Sequence, residues 1–291
     1  MALSTPCPDP IMVEDKTGGR NAQTVAAESW HGSGADGVVV AVDDQVAREV
    51  AVALVYNGIS HVVMMATPDD LEDFALGFSL SENILATAGE MYALELVASD
   101  LGIEVVMTIS AERFAALKHR RRNLTGRTGC GLCGAESLRE AIRPPPQVSE
   151  HVKISAGAVQ TAVAQLNDWQ PLQAVTGAVH GAAWCNLNGS IQLLREDVGR
   201  HNALDKLLGA LHKKDSAGFT ATQGFVLISS RASYEMVAKT AALGIEVLAA
   251  VSAPTTLAIQ LAQRAGVTLI GFARPGRHML YSHAQRIVPA L

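Results

Sequence analysis

Cysteine is scarce in this sequence: Cys7, Cys130, Cys133 and Cys185 are all it has in 291 residues. Two of the four stand alone, so no disulfide framework is expected and a reducing, cytoplasmic setting fits best. Long apolar runs are lacking too. None reaches the ~18 uninterrupted residues that a membrane-spanning helix needs, so no membrane segment is expected. The first thirty-odd residues carry Asp9, Glu14, Asp15 and Glu28 and no continuous apolar stretch, which argues against a secretory signal and for a flexible arm over residues 1–36. Nor is there a basic excess. A formal net charge of -5 speaks against a generic nucleic-acid binder, whose domain would be strongly basic. A chain of this length can bury one large core or two modest ones without staples.

What stands out is Cys130-Gly131-Leu132-Cys133, framed by Gly129 and Gly134 and preceded by the basic run Lys118-His119-Arg120-Arg121-Arg122. Half of the cysteines lie in this one loop. A structural zinc site needs four ligands, and the chain has neither a second CxxC nor an HxxxH to complete one, so no metal is expected. A thioredoxin-type pair belongs at a strand-to-helix junction of a βαβ unit, whereas this pair follows a helix and a Gly-rich loop. The remaining reading is a nucleophilic cysteine on a mobile loop. Glycines permit close approach to the sulfur, and Arg127 with the basic run favours the thiolate. The basic run also fits a solvated helix end whose cations complement the dipole.

Organisation along the chain follows from periodicity and punctuation. Val38 to Val42 and Val50 to Val55 read as strands, with Asn57-Gly58 turning the chain back through Ile59 to Met65 as a meander. Thr67 as cap, Pro68 in the first helical position, and Asp69 and Asp70 facing the dipole open a helix that runs to about Ser81. Met91 to Val97 and Ile103 to Ile109 form a hairpin, and Ala111 to Arg121 a helix. Ala135 to Ile142 is a short helix that Pro144-Pro145-Pro146 ends, and the linker is placed there. An α+β domain over 37–145, carrying the CxxC loop, and an α/β domain over 146–291 are expected. Ser155 caps a helix that sets Val159, Ala162, Val163 and Leu166 at helical spacing.

The C-terminal stretch is the clearest. Phe225 to Ile228, Glu246 to Val251 and Val267 to Gly271 are short apolar strands separated by helices Tyr234 to Leu243 and Leu257 to Ala265, with Gly244 and Gly266 where left-handed caps belong. This βαβαβ run makes the strands parallel and brings their carboxyl ends to one edge, where open α/β sheets bind ligands. That edge collects Ser229-Ser230-Arg231, Ser252-Ala253-Pro254-Thr255 and Phe272-Ala273-Arg274-Pro275-Gly276-Arg277. Hydroxyls, helix N-termini and arginines suit phosphate or pyrophosphate; polar loops at a solvated edge would look similar.

A second dense run, Arg195-Glu196-Asp197-Val198-Gly199-Arg200-His201-Asn202, reads as a loop feeding a helix. Glu196 and Asp197 could accept paired N–H donors, as on a guanine edge, while Arg200, His201 and Lys206 could meet phosphates or move protons. His180, in an apolar stretch, reads as a hydrogen-bonded core residue.

Together Arg127 to Gly134, Glu196 to Lys206, Leu269 to Arg274 and Ala53-Leu54-Val55-Tyr56-Asn57-Gly58 resemble the FdhD family of formate dehydrogenase accessory proteins, from about Val50 to His283. The resemblance implies a sulfurtransferase: a persulfide formed by a cysteine desulfurase on Cys130, with Cys133 as its partner, passes sulfur to the molybdenum cofactor in its bis(molybdopterin guanine dinucleotide) form before insertion into formate dehydrogenase. It implies a cytidine deaminase-like fold for the C-terminal half, a homodimer, and a cofactor-binding segment over Phe272, Ala273, Arg274, Pro275, Gly276 and Arg277. Pro275 beside Gly276 is a local variation on the family motif. Two other classes compete. A zinc deaminase needs a His-x-Glu that His180-Gly181-Ala182 does not supply, and a chaperone would bind the cofactor without donating sulfur.

Overall fold

In the computed structural model, residues 21–32, 37–125, 145–213 and 219–289 are described. The CxxC loop and the expected helix Ala135 to Ile142 lie outside them. Strands β1 (Ala22–His31) and β2 (Val38–Ala47) pair antiparallel in unbroken register, from Ala22 opposite Ala47 to His31 opposite Val38. Residues 22–31, expected within a flexible arm, are therefore a strand, and β2 joins this ribbon rather than a meander with β3.

Strands β3 (Val50–Tyr56), β4 (Ile59–Ala66), β5 (Met91–Ser99) and β6 (Gly102–Ile109) form a sheet in the order β4-β3-β6-β5. Asn57 (φ 46°) and Gly58 (φ 80°) are both left-handed, the backbone that a two-residue hairpin turn demands and that Asn-Gly adopts most readily. Period-two alternation sends Val52, Leu54 and Tyr56 of β3 and Val105, Met107 and Ile109 of β6 to one face. Helix α1 (Leu71–Ser81) covers that face with Leu71, Phe74, Ala75 and Phe78, and α2 (Ala111–Thr125) adds Leu117.

α1 starts later than the sequence suggests. Asp70 precedes it at φ 57° without a side-chain cap bond. Thr67 is fully buried instead, its hydroxyl donating to Asp197 at 2.9 Å while Lys206 Nζ lies 2.6 Å away. A tertiary pair thus takes the hydroxyl that a local cap would have used.

In the second half, α3 (Ala156–Gln165) starts at Ser155, whose Oγ accepts from Ala158 N at 3.0 Å, as expected of an N-cap. A short helix, α4 (Pro171–Thr176), leads to β8 (His180–Asn186) and β9 (Ile191–Asp197). A two-residue strand β7 (Ile154–Ser155) pairs parallel with β14 (Ile287–Val288). Helix α5 (Arg200–His212), β10 (Gly224–Ile228), α6 (Tyr234–Ala242), β11 (Val247–Ala250), α7 (Thr256–Ala265), β12 (Thr268–Arg274) and β13 (Arg277–Ser282) complete the unit. The sheet order is β13-β12-β11-β10-β8-β9. β10, β11 and β12 are parallel, as their crossovers require, and β8, β9 and β13 are antiparallel additions.

Both faces of this sheet are covered. Phe225 and Leu227 of β10 face α3, while Val226 and Ile228 face α5, α6 and α7. Such two-sided burial explains why these strands read as continuous apolar runs. Gly244 (φ 72°) and Gly266 (φ 78°) end α6 and α7 as expected.

The two halves meet where α1 crosses α5. A Cβ on Gly77 would overlap the Asp205 carbonyl, and one on Gly209 would overlap that of Asp73, so glycine sets the approach of the helices. Buried charge lines the crossing. Asp73 pairs with Arg195 at 2.8 Å, Asp197 with Lys206 at 2.7 Å, and Asp205 with Lys239 at 3.0 Å. Burial works against the charge on Lys239, but Asp205 and Glu82 hold its pKa above the ordinary lysine value.

Candidate functional site

At the edge formed by the carboxyl ends of β10, β11 and β12, the loops are hydrogen-bonded to one another and to the start of β8. Ser229 N donates to Gly181 O and Gly181 N donates to Ser229 Oγ, both at 2.9 Å. Phe272 N donates to Ser252 O at 3.1 Å, and Thr255 N to Ala232 O at 3.0 Å. Thr255 then caps α7, its Oγ1 accepting from Ala258 N.

At one end of this edge, Phe272 adopts φ 48°. A bulky side chain rarely enters that region, and the backbone strain is on the order of 1–3 kcal/mol. Pro275 and Gly276 (φ 78°) turn β12 into β13, with Arg274 opposite Arg277. Proline fixes the first turn angle and glycine supplies the second, the signature of a type II turn. Both guanidinium groups lie over the Phe272 ring, Arg274 at 5.7 Å and Arg277 at 5.9 Å from its centroid. Gln160 of α3 holds the turn from below. Its Oε1 accepts from Gly276 N at 2.8 Å, and its Nε2 lies 3.2 Å from His278 Nδ1.

At the other end, β8 begins with His180, which is half-buried, and α5 begins with Arg200 and His201. Burial, and then the charges of Arg200 and Arg231, push the His180 pKa below the ordinary histidine value. His201 is lowered by burial and Arg200, with Glu235 opposing; its Nε2 lies 3.8 Å from the Glu235 carboxylate. His180 is thus an edge residue among arginines rather than a core histidine. A register partner more than fifteen residues away placed it there, Asp197 of β9, and nothing local to its apolar stretch signals that. Gln160 was likewise not legible, because its role depends on a turn far along the chain.

The edge therefore brings together Ser229, Arg231, His201 and the segment Phe272, Ala273, Arg274, Pro275, Gly276 and Arg277. Ala273 is fully buried and faces α3, so within that segment it packs while its neighbours present charge. Glu196 and Asp197 go elsewhere. They lie on β9, not in a loop. Glu196 Oε2 accepts from Leu172 N at 2.9 Å and Oε1 from Gln173 N at 2.8 Å, capping α4. Asp197 is fully buried and accepts from Thr67, Gly199, Asn202 and Lys206. Both carboxylates are engaged by the chain's own donors. Cys130 and Cys133 lie outside the described residues; Cys185 is buried on β8, and burial pushes its thiol pKa up. No helix among the described residues is long and apolar enough to cross a membrane.

Comparison with known proteins agrees with the motifs. The FdhD/NarQ family profile matches residues 47–288. The sulfur carrier protein FdhD of Cupriavidus necator is 54% identical over 264 residues, covering 91% of this chain and 89% of that protein. The protein of the same name from Xanthomonas euvesicatoria is 52% identical over 246 residues, covering 84% and 86%. A crystal structure from Desulfotalea psychrophila, assigned as a formate dehydrogenase accessory protein, matches with a TM-score of 0.68 over 91% of this chain and 99% of its own. At 24% identity it shows a shared fold. By the extent of the profile match and the identity to these relatives, the chain belongs to the FdhD/NarQ family.

Proposed function

We propose that this protein is a sulfurtransferase of formate dehydrogenase maturation. A cysteine desulfurase loads a persulfide on Cys130, and the outer sulfur passes to the molybdenum bis(molybdopterin guanine dinucleotide) cofactor, which is the substrate. An electron pair of the acceptor bonds the outer, sulfane sulfur as the S–S bond breaks, and the Cys130 sulfur leaves as a thiolate, the same displacement at sulfur as in thiol exchange; Cys133 resolves or shields the carrier. The relatives' name, sulfur carrier protein, supports the sulfur step. The six-stranded unit is read as the cytidine deaminase-like part, and the working form as a cytoplasmic homodimer.

One observation carries the acceptor half of this reading. Arg200, Arg231, Arg274 and Arg277 gather at the edge with no carboxylate in ion-pair range among the described residues, whereas Arg113, Arg195 and Arg286 each hold one. Guanidinium groups without a carboxylate partner, two of them over the Phe272 ring, suit pyrophosphate and a base. Glu196 and Asp197, being engaged within the chain, are not assigned to guanine.

The test is a desulfurase assay on the full chain, read by mass spectrometry. One added sulfur atom is expected on Cys130. Cys130→Ala should lose transfer yet still bind guanine nucleotide. Full activation of formate dehydrogenase by that variant would instead favour a chaperone that donates no sulfur.

A further inference from the structure

The β8 and α5 end of the edge carries an arrangement of charge that the turn at Phe272–Arg277 does not need. His180 opens β8, and its partner Asp197 ends β9 three residues before Arg200. The two hydrogen bonds between Ser229 and Gly181 bind the loop after β10 to the same place, with Arg231 two residues beyond. Three side chains from three elements therefore share one corner. Neither guanidinium has a carboxylate in ion-pair range among the described residues, and Arg200 Nε is buried with no acceptor. A buried donor left unmatched by the described residues is a place where a bound anion can supply the acceptor. Glu235, the carboxylate of this corner, lies 3.8 Å from His201 and feels the charge of Arg200 without pairing with it. The first amides of α5, a helix of thirteen residues, add the positive end of its dipole.

We propose that His180, Arg200 and Arg231 form an oxyanion subsite that takes a phosphoryl group, separate from the Phe272–Arg277 turn. The inference rests on the reading of the edge as a phosphate site and extends it. Strands β11 and β10 lie between β12 and β8, so the strands that carry the turn and His180 are about 14 Å apart at the usual strand spacing. Arg274 Nε donates to Val251 O at 3.3 Å, which keeps it on the β11 and β12 side of the edge. The ligand that fills the whole edge carries phosphoryl groups at two separated positions.

The experiment titrates inorganic pyrophosphate and, separately, guanosine diphosphate into the full chain, with the His180 imidazole followed by NMR. Arg231 is exposed, so Arg231→Gln probes the corner without disturbing the core. Pyrophosphate is expected to bind the unaltered chain and raise the His180 pKa, because a nearby anion favours the imidazolium. In Arg231→Gln, affinity for the site that moves His180 should fall at least tenfold; in Arg274→Gln the His180 response should persist. Pyrophosphate that leaves His180 unmoved, or that moves it equally in Arg231→Gln, overturns the subsite. If guanosine diphosphate still binds in that case, the edge remains a nucleotide site and the separate subsite alone falls. If neither probe binds the unaltered chain, both readings fall.

Discussion

The seam between α1 and α5 and the edge beyond β10, β11 and β12 are both rich in charge, and they use it in opposite ways. In the seam, Lys206 and Asp197 are fully buried 2.7 Å apart, and Lys239 bridges Asp205 and Glu82. At the edge, no carboxylate lies in ion-pair range of the arginines among the described residues. Buried charge must be paired to be tolerated, whereas open guanidinium groups at a solvated rim remain available for a ligand. Charge density alone therefore does not mark a site; the absence of an internal partner does.

Breaking the seam should have the largest effect. Lys206→Ala strands Asp197 in the interior and should lower unfolding free energy by about 3–5 kcal/mol, measured by urea denaturation. Gly77→Ala drives a methyl group into a backbone carbonyl across the helix crossing, and a loss of about 1–3 kcal/mol is expected in the same assay. Should Gly77→Ala prove neutral, the helices are not held at glycine-limited distance.

Acid provides a gentler comparison. His180, His201, His212 and His278 all have folded pKa values below the ordinary one, with burial the first cause for each. A group depressed in this way favours the native state above its unfolded pKa and loses that contribution as pH falls through the folded value. The melting temperature should therefore decline as pH drops below about 6.5. The smallest effect on stability belongs to the edge. Arg274→Gln with Arg277→Gln should shift unfolding by no more than about 0.5 kcal/mol, since both side chains are exposed and lack acid partners.

The same contrast explains what was legible in the sequence. Phe225 to Ile228, Val247 to Ala250 and the helices between them declared themselves through apolar runs and glycine caps, which are local. β8 was hidden because Gly181, Ala182 and Ala183 lack the branched side chains that mark strands, and β1 because Ala22, Ala26 and Ala27 do the same. The edge residues were found through topology: parallel strands bring their carboxyl ends together whatever the loops contain. Glu196 and Asp197 misled because their partners Leu172 and Thr67 lie 24 and 130 residues away, and pairing over such separations leaves no local trace. The extent of the β12–β13 hairpin was missed for the same reason, since Gln160 of α3 secures its turn.

Whether the edge holds a guanine nucleotide is decided by calorimetric titration of guanosine diphosphate into the full chain and into the Arg274→Gln, Arg277→Gln variant. Saturable binding to the unaltered chain is expected, with at least tenfold weaker binding to a variant of unchanged melting temperature. Equal affinity in the two proteins would contradict a nucleotide site at the edge.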